Sequence, residues 1–319
     1  MSNFINQGNK ATRIGFGEGV AEAGSIFQNL VVLGADITGS VGLNIFAERF
    51  PERFFSFGIA EQNIAAVAAG MALTNKIPVF STYAVFAAFR AADQIRISIC
   101  YNNVKVIIGG AHAGISVGPD GATHQALEDI AVIRSLPNIT LISPADANQA
   151  KAATIAAIKE ADGPVYIRFG REPVPNFTSI NQDFKIGKGE ILTDGTDVAI
   201  LATGHMVWEA LMASKELEKK GIDAAVVNIH TIKPIDKELL ISIAKKTGLV
   251  VTVEEHQIHG GLGSAVAEVL CQEYPIPMKI IGMPDCFGES GKPEELLQKY
   301  GLNADAITKS VFQFVKEHK

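Results

Sequence analysis

Val104-Lys105-Val106-Ile107-Ile108-Gly109 runs straight into Gly110-Ala111-His112-Ala113-Gly114-Ile115-Ser116-Val117-Gly118-Pro119-Asp120-Gly121-Ala122-Thr123-His124-Gln125. The first six residues are short, apolar and rich in β-branched side chains, which predicts a strand buried on both faces. The remainder leaves the C-terminal end of that strand, the edge at which open α/β sheets bind ligands. Glycine and proline recur through it, so its backbone is shaped rather than floppy. It carries two histidines and an aspartate. Histidine exchanges protons near neutral pH, and Asp120 suits a sugar hydroxyl. A purely structural Ω-loop is the competing reading.

Outward from this point the same rhythm continues. Strands are predicted at 31–34, 79–81, 140–142 and 165–168, and helices at 60–73, 86–100, 127–135 and 146–161. Asp146 and Gln149, preceded by Pro144, fit a capping box. Residues 173–189, with Pro173, Pro175 and Gly187-Lys188-Gly189, read as a linker. Strands then resume at 198–202, 224–228, 249–254 and 278–281, and helices at 207–220, 236–246, 263–271 and 293–316, the last broken at Gly301. The alternation predicts two consecutive three-layer α/β/α domains with mainly parallel sheets, over 1–172 and 190–319.

Composition agrees. The 319 residues are 47% hydrophobic and 19% charged, enough apolar matter for two cores. A formal charge of −6 disfavours coating nucleic acid. Cys100, Cys271 and Cys286 are scattered and imply neither a disulfide framework nor a zinc site. The polar N-terminus lacks a signal-peptide core, and the apolar run 64–73 is too short to span a bilayer, so a cytoplasmic protein without membrane contact is expected.

Two glycine patterns compete for attention. Gly15-Phe16-Gly17-Glu18-Gly19 resembles a nucleotide fingerprint, but no strand precedes it and its third glycine falls too early. Gly260-Gly261-Leu262-Gly263 opens a helix, where either an anion or a plain tight turn fits. His256 and His259 lack a third metal ligand and read as surface or interface residues. Glu61 is more pointed: it begins an almost wholly apolar helix after Phe57-Gly58-Ile59-Ala60. A carboxylate there either serves the helix dipole or sits partnered and desolvated, as catalytic acids do. Tyr83, Phe86 and Phe89 recur every three residues, as a core stripe or as a stacking pocket for a flat heteroaromatic ring.

Taken in this order, the pieces resemble the transketolase family across essentially the whole chain. Gly58-Ile59-Ala60-Glu61 matches its cofactor-glutamate turn. Ser81-Thr82-Tyr83-Ala84-Val85-Phe86-Ala87-Ala88-Phe89-Arg90 matches its aromatic pocket. Gly118-Pro119-Asp120-Gly121-Ala122-Thr123-His124-Gln125 matches its sugar loop, with Pro119 in place of an acidic residue and Ala122 in place of proline. The resemblance implies thiamine diphosphate, with Glu61 hydrogen-bonded to N1′ of its aminopyrimidine. Tyr83, Phe86 and Phe89 would pack on the ring, and Asp36 would lie beside the cofactor. Asp120 and His124 would meet sugar hydroxyls, His124 as a proton-transfer group. Arg13, Ser40, His112 and Arg171 would grip a sugar phosphate, with Arg168 as an alternative anion contact.

The family's Gly-Asp-Gly motif and its metal-holding Asn have no counterpart. The resemblance is therefore to the C-terminal subunit of a split transketolase. It implies that a separate N-terminal subunit holds the diphosphate and Mg2+ or another divalent cation, in an α2β2 heterotetramer with the cofactor at the interface. The alternatives are the β subunit of a 2-oxo acid dehydrogenase E1 and a non-catalytic scaffold of the same fold.

Overall fold

The computed structural model describes residues 4–180 and 183–318. Its first sheet holds β2 (Leu30–Gly34), β3 (Phe54–Ser56), β4 (Ile77–Tyr83), β5 (Ile107–Ala111), β6 (Thr140–Ile142) and β7 (Val165–Arg168), all parallel. The strand order is β12-β6-β7-β5-β4-β2-β3, and the edge strand β12 (Thr231–Lys233) is antiparallel and comes from the second half of the chain. Helices α1 (Thr12–Ile26), α2 (Asn44–Arg49), α3 (Glu61–Ala72), α4 (Ala92–Gln94), α5 (Asp129–Arg134) and α6 (Ala147–Glu160) belong to this layer set. The second sheet has the order β14-β13-β10-β11-β9. It is built from β9 (Glu190–Thr193), β10 (Val198–Ala202), β11 (Ala224–Asn228), β13 (Val250–Gln257) and β14 (Met278–Met283), with α7 (Met206–Glu218), α8 (Lys237–Thr247), α9 (Leu262–Glu273), α10 (Pro293–Lys299) and α11 (Ala304–His318). Only β9 runs antiparallel in it. The expected two-domain α/β class is what is found.

Several local expectations are sharpened. Asp146 accepts from the Gln149 amide at 2.9 Å, but the Gln149 side chain reaches Ala145 rather than closing the box on Asp146. The segment expected to be a linker starts as structure. A short strand, β1 (Asn9–Ala11), pairs with β8 (Pro173–Pro175). Beyond it, Phe177 and Thr178 donate backbone N–H groups to Asp146, each at 2.7 Å. Residues 181–182 of that segment lie outside the described residues.

The Gly15–Gly19 stretch forms neither a loop nor a nucleotide cradle but lies within α1. A Cβ on Gly15 would meet the Ala147 carbonyl oxygen at 2.0 Å, and one on Gly17 the Gly42 oxygen at 2.0 Å. The glycines let α1 lie backbone to backbone on α6 and on the turn before α2. Each such glycine costs about 1 kcal/mol of helix propensity, which is why the periodicity gives no hint of a helix. At the start of α9 the anion site is filled internally, because Glu254 accepts from the Leu262 and Gly263 amides at 2.6 and 2.8 Å. His256 is fully buried beside it, against the surface or interface placement expected, whereas His259 is exposed. Among the described residues no group of three His, Cys, Asp or Glu is arranged to hold a metal ion.

Candidate active site

The sheet carries the candidate residues to its C-terminal edge. Gly34 of β2 pairs with Ser81 of β4, and Tyr83 with Ala111 of β5. Asp36 and His112, just beyond these pairs, and Tyr83, the last residue of β4, therefore emerge along one edge. Two of them depart from ordinary backbone there, with φ of 64° at Asp36 and 54° at His112. Such conformations cluster at functional sites.

Glu61 is the first residue of α3 and is 3% exposed. Both its carboxylate oxygens accept from Arg90 Nη1, at 2.9 and 3.0 Å, and Thr82 Oγ1 lies 3.4 Å away. The helix N-terminus adds partial positive charge beneath the carboxylate. Arg90 was not singled out by sequence, although it lies in the aromatic segment four residues after Phe86. The chain there is wound as π-helix, over Phe86–Arg90 and again over Ile95–Tyr101, and π turns recur at functional sites. The guanidinium consequently lies over the Phe86 ring, 4.1 Å from its centroid.

The same winding corrects the aromatic stripe. Tyr83 ends β4 and is not part of the helix, and Phe89 is turned outward, half exposed. The aromatic cluster instead joins Tyr83 and Phe86, 5.8 Å apart, to two histidines of the loop. Tyr83 lies 4.3 Å from His112 and 5.7 Å from His124, and Phe86 lies 5.5 Å from His124. Asp36 is exposed at the end of β2.

The expected anion contacts converge on His112. Burial, followed by the charges of Arg13 and Arg171, pushes its pKa down to about 4, while Asp120 opposes the shift. The imidazole is thus neutral at pH 7, and its buried Nδ1 has no hydrogen-bond partner among the described residues. Arg13 donates to the Ser40 carbonyl at 3.0 Å. Arg171 donates to Asp120 at 2.9 Å and to the Val117 carbonyl at 3.1 Å, and Thr123 Oγ1 lies 2.9 Å from His124 Nδ1. Arg168 does not join them. It is buried on Asp129, with both carboxylate oxygens 3.0–3.1 Å from Nε, and its Nη2 bonds the Ala126 and Glu255 carbonyls. With Nε and Nη2 engaged in this way, Arg168 braces the buried framework rather than joining the cluster around His112.

A pH effect on stability follows. His230, buried against Phe184, is pushed down to about 4 by burial, like His112. Both folded pKa values lie below the ordinary 6.5. The unfolded chain therefore binds these protons first, and stability falls as pH drops through the window from 6.5 to about 4. Each imidazole contributes on the order of 3 kcal/mol across it. The urea midpoint should fall steadily between pH 7 and 4.5, and His230→Phe should flatten that slope; an unchanged slope would refute the assignment.

With this geometry in place, comparison with known proteins is informative. Residues 9–176 match the transketolase pyrimidine binding domain and residues 187–307 the transketolase C-terminal domain. A chain of Methanocaldococcus jannaschii, provisionally described as a transketolase C-terminal section, is 46% identical over 312 residues, covering 97% of each chain. A 6-deoxy-6-sulfo-D-fructose transketolase subunit of a Clostridium species is 42% identical, over 92% of this chain and 90% of that one. A solved structure described as a split gene transketolase in an inactive beta4 tetramer superposes with a TM-score of 0.90 at 50% identity, covering 96% of this chain and 98% of that one. The chain belongs to the transketolase family, and its likeness is to the C-terminal section of the split kind.

Proposed function

We propose that this chain is the pyrimidine-side subunit of a thiamine-diphosphate-dependent transketolase, moving a two-carbon ketol unit from a ketose phosphate to an aldose phosphate. The observation that carries the proposal is the adjacency of two seats. One is the buried Glu61 carboxylate with the Phe86 ring; the other is the cluster of Arg13, His112, Asp120, His124 and Arg171. The first seat fits an aminopyrimidine, because a flat, donor-bearing cation, the Arg90 guanidinium, already satisfies both its carboxylate and its aromatic face. When bound, the cofactor supplies an electron sink for cleaving and forming a carbon–carbon bond beside a carbonyl.

The protein's own groups do the rest. Glu61 would hold a hydrogen bond at ring nitrogen N1′, and Phe86, with Tyr83, would pack on the ring and exclude water from it. Asp36, at the sheet edge, would lie beside the cofactor, whereas Phe89, turned outward, would face the partner chain. His124 passes protons to and from the substrate oxygen next to the reacting carbons, and Asp120 accepts from a sugar hydroxyl. Neutral His112 donates a hydrogen bond without adding charge. Arg13 and Arg171, helped by Ser40, grip the terminal anion with planar forks. The named activity of the Clostridium relative, on a sulfonated sugar, accords with an anion-gripping site.

Diphosphate and a divalent cation fall to a second, N-terminal subunit, in an α2β2 assembly within the cytoplasm. Ile59 and Leu73, at the two ends of α3, and Phe89 of the π turn each stand exposed, and a partner chain would bury them. The test is reconstitution. Mixed with an N-terminal transketolase subunit, thiamine diphosphate and Mg2+, the chain should transfer ketol units between sugar phosphates. Full activity of the chain alone, or turnover of pyruvate in place of ketose, would overturn the proposal.

A further inference from the structure

We infer that Glu255 is a positioning residue for the substrate loop, and that through it the second domain sets where Asp120 and His124 stand. This rests on the proposed function for its catalytic meaning, though not for its structural content.

Glu255 lies near the end of β13 and is 3% exposed, yet its carboxylate leaves its own domain. One oxygen accepts from the backbone N–H of Ser116, the second residue of a 3-10 turn, Ile115–Asp120, that ends on the candidate sugar contact. The other lies 3.1 Å from His205 Nδ1, at the start of α7. The carboxylate approaches across Gly114, where a Cβ would come within 2.2 Å of its carboxyl carbon and φ is 90°. Only glycine admits both the conformation and the approach. The backbone carbonyl of Glu255 accepts from Arg168 at 2.9 Å, so the residue is itself anchored to the first sheet.

The outer side of the loop is held by the second domain as well. Gln125 donates from Nε2 to the Glu289 carbonyl at 2.8 Å and to Ile115 within the loop at 3.2 Å. Gly118 packs on Pro293, the first residue of α10, and Gly121 on Ser290. The turn thus sits between two jaws, the Glu255 carboxylate inside and the 288–293 segment outside. Reacting groups must be held to within a fraction of an ångström, and a displacement of 1 Å costs about 100-fold in rate. Both jaws act on backbone and on Gln125, and neither takes the side chains of Asp120 and His124, which meet Arg171 and Thr123 instead.

The test uses the reconstituted pair and the free chain. Glu255→Ala should raise the donor-ketose KM about tenfold and lower kcat/KM by about 100-fold, with thiamine diphosphate affinity and subunit assembly unchanged. Glu255→Gln keeps an acceptor for Ser116 and should recover most of that loss. Gly288→Ala, whose new methyl would press on Gln125 from outside the site, should reproduce the KM signature. In the free chain, Glu255→Ala should speed hydrogen exchange at the Ser116 amide while exchange in β5 stays slow. Unaltered exchange at Ser116 would overturn the clamp. Losses that follow thermal stability with KM unchanged would reduce Glu255 to a structural role and overturn its positioning. A wild-type pair inactive on every ketose would instead remove the functional reading and leave the exchange result standing.

Discussion

Glu61→Gln in the reconstituted pair is expected to lower ketol transfer by about 10³-fold, within the 10²–10⁴ range that a positioned proton partner supplies. The substitution keeps volume and planarity, so packing at the start of α3 should survive. What changes is the charge and the acceptor count. A carboxylate offers acceptors only, whereas an amide turns two donors toward whatever it faces. In the free chain that neighbour is Arg90, whose Nη1 is shared by both Glu61 oxygens, and in the enzyme proposed above it would be a ring nitrogen of the cofactor. The loss should lie mainly in kcat, because the Glu61 contact would count more in the transition state than in the ground state, with a smaller weakening of cofactor affinity. The measurement is steady-state transfer at saturating cofactor, alongside calorimetric binding of thiamine diphosphate. Activity within tenfold of wild type would remove Glu61 from the chemistry and leave it a partner for Arg90.

The sequence carried the scaffold well, for physical reasons. Strands buried on both faces must be apolar throughout, and 140–142, 165–168, 198–202 and 224–228 coincide with β6, β7, β10 and β11. Less legible were elements whose reason lies elsewhere in space. The glycines of α1 make sense only beside Ala147 and Gly42, and β12 is a strand only because β6 offers it an edge. At the site, residues on one strand end or one loop could be named from the chain, and Arg13, His112, Asp120, His124 and Arg171 do converge. Groups that act through winding or across domains could not. Arg90 reaches Glu61 because the helix is wound as π-helix, and Glu255 comes from the far domain, 139 residues from the amide it holds. The three-residue spacing of Tyr83, Phe86 and Phe89 misled for the same reason, since it presumed one regular helix where a strand end meets a π turn.

Arg168 offers the second large effect, and its outcome separates two meanings of a buried arginine. Arg168→Met should destabilise the chain by about 3–5 kcal/mol, the cost of breaking a buried pair by removing one partner. Asp129 is 0% exposed and, among the described residues, would keep only the Tyr166 hydroxyl, at 3.1 Å, as a side-chain donor. At the junction of the two domains the Glu255 carbonyl would lose the Arg168 donor, and the Ala126 carbonyl would keep the Gly114 N–H at 2.9 Å. The double variant Arg168→Met/Asp129→Leu should recover part of the loss, because it leaves no lone charge in the core, and the pair should be strongly non-additive in a double-mutant cycle. The measurement is urea unfolding, read as a shift in midpoint at constant slope. Had Arg168 been a substrate anion contact, its removal would raise the sugar-phosphate KM and spare the midpoint. A midpoint shift worth less than about 1 kcal/mol would therefore count against this bracing role and return Arg168 to the substrate site.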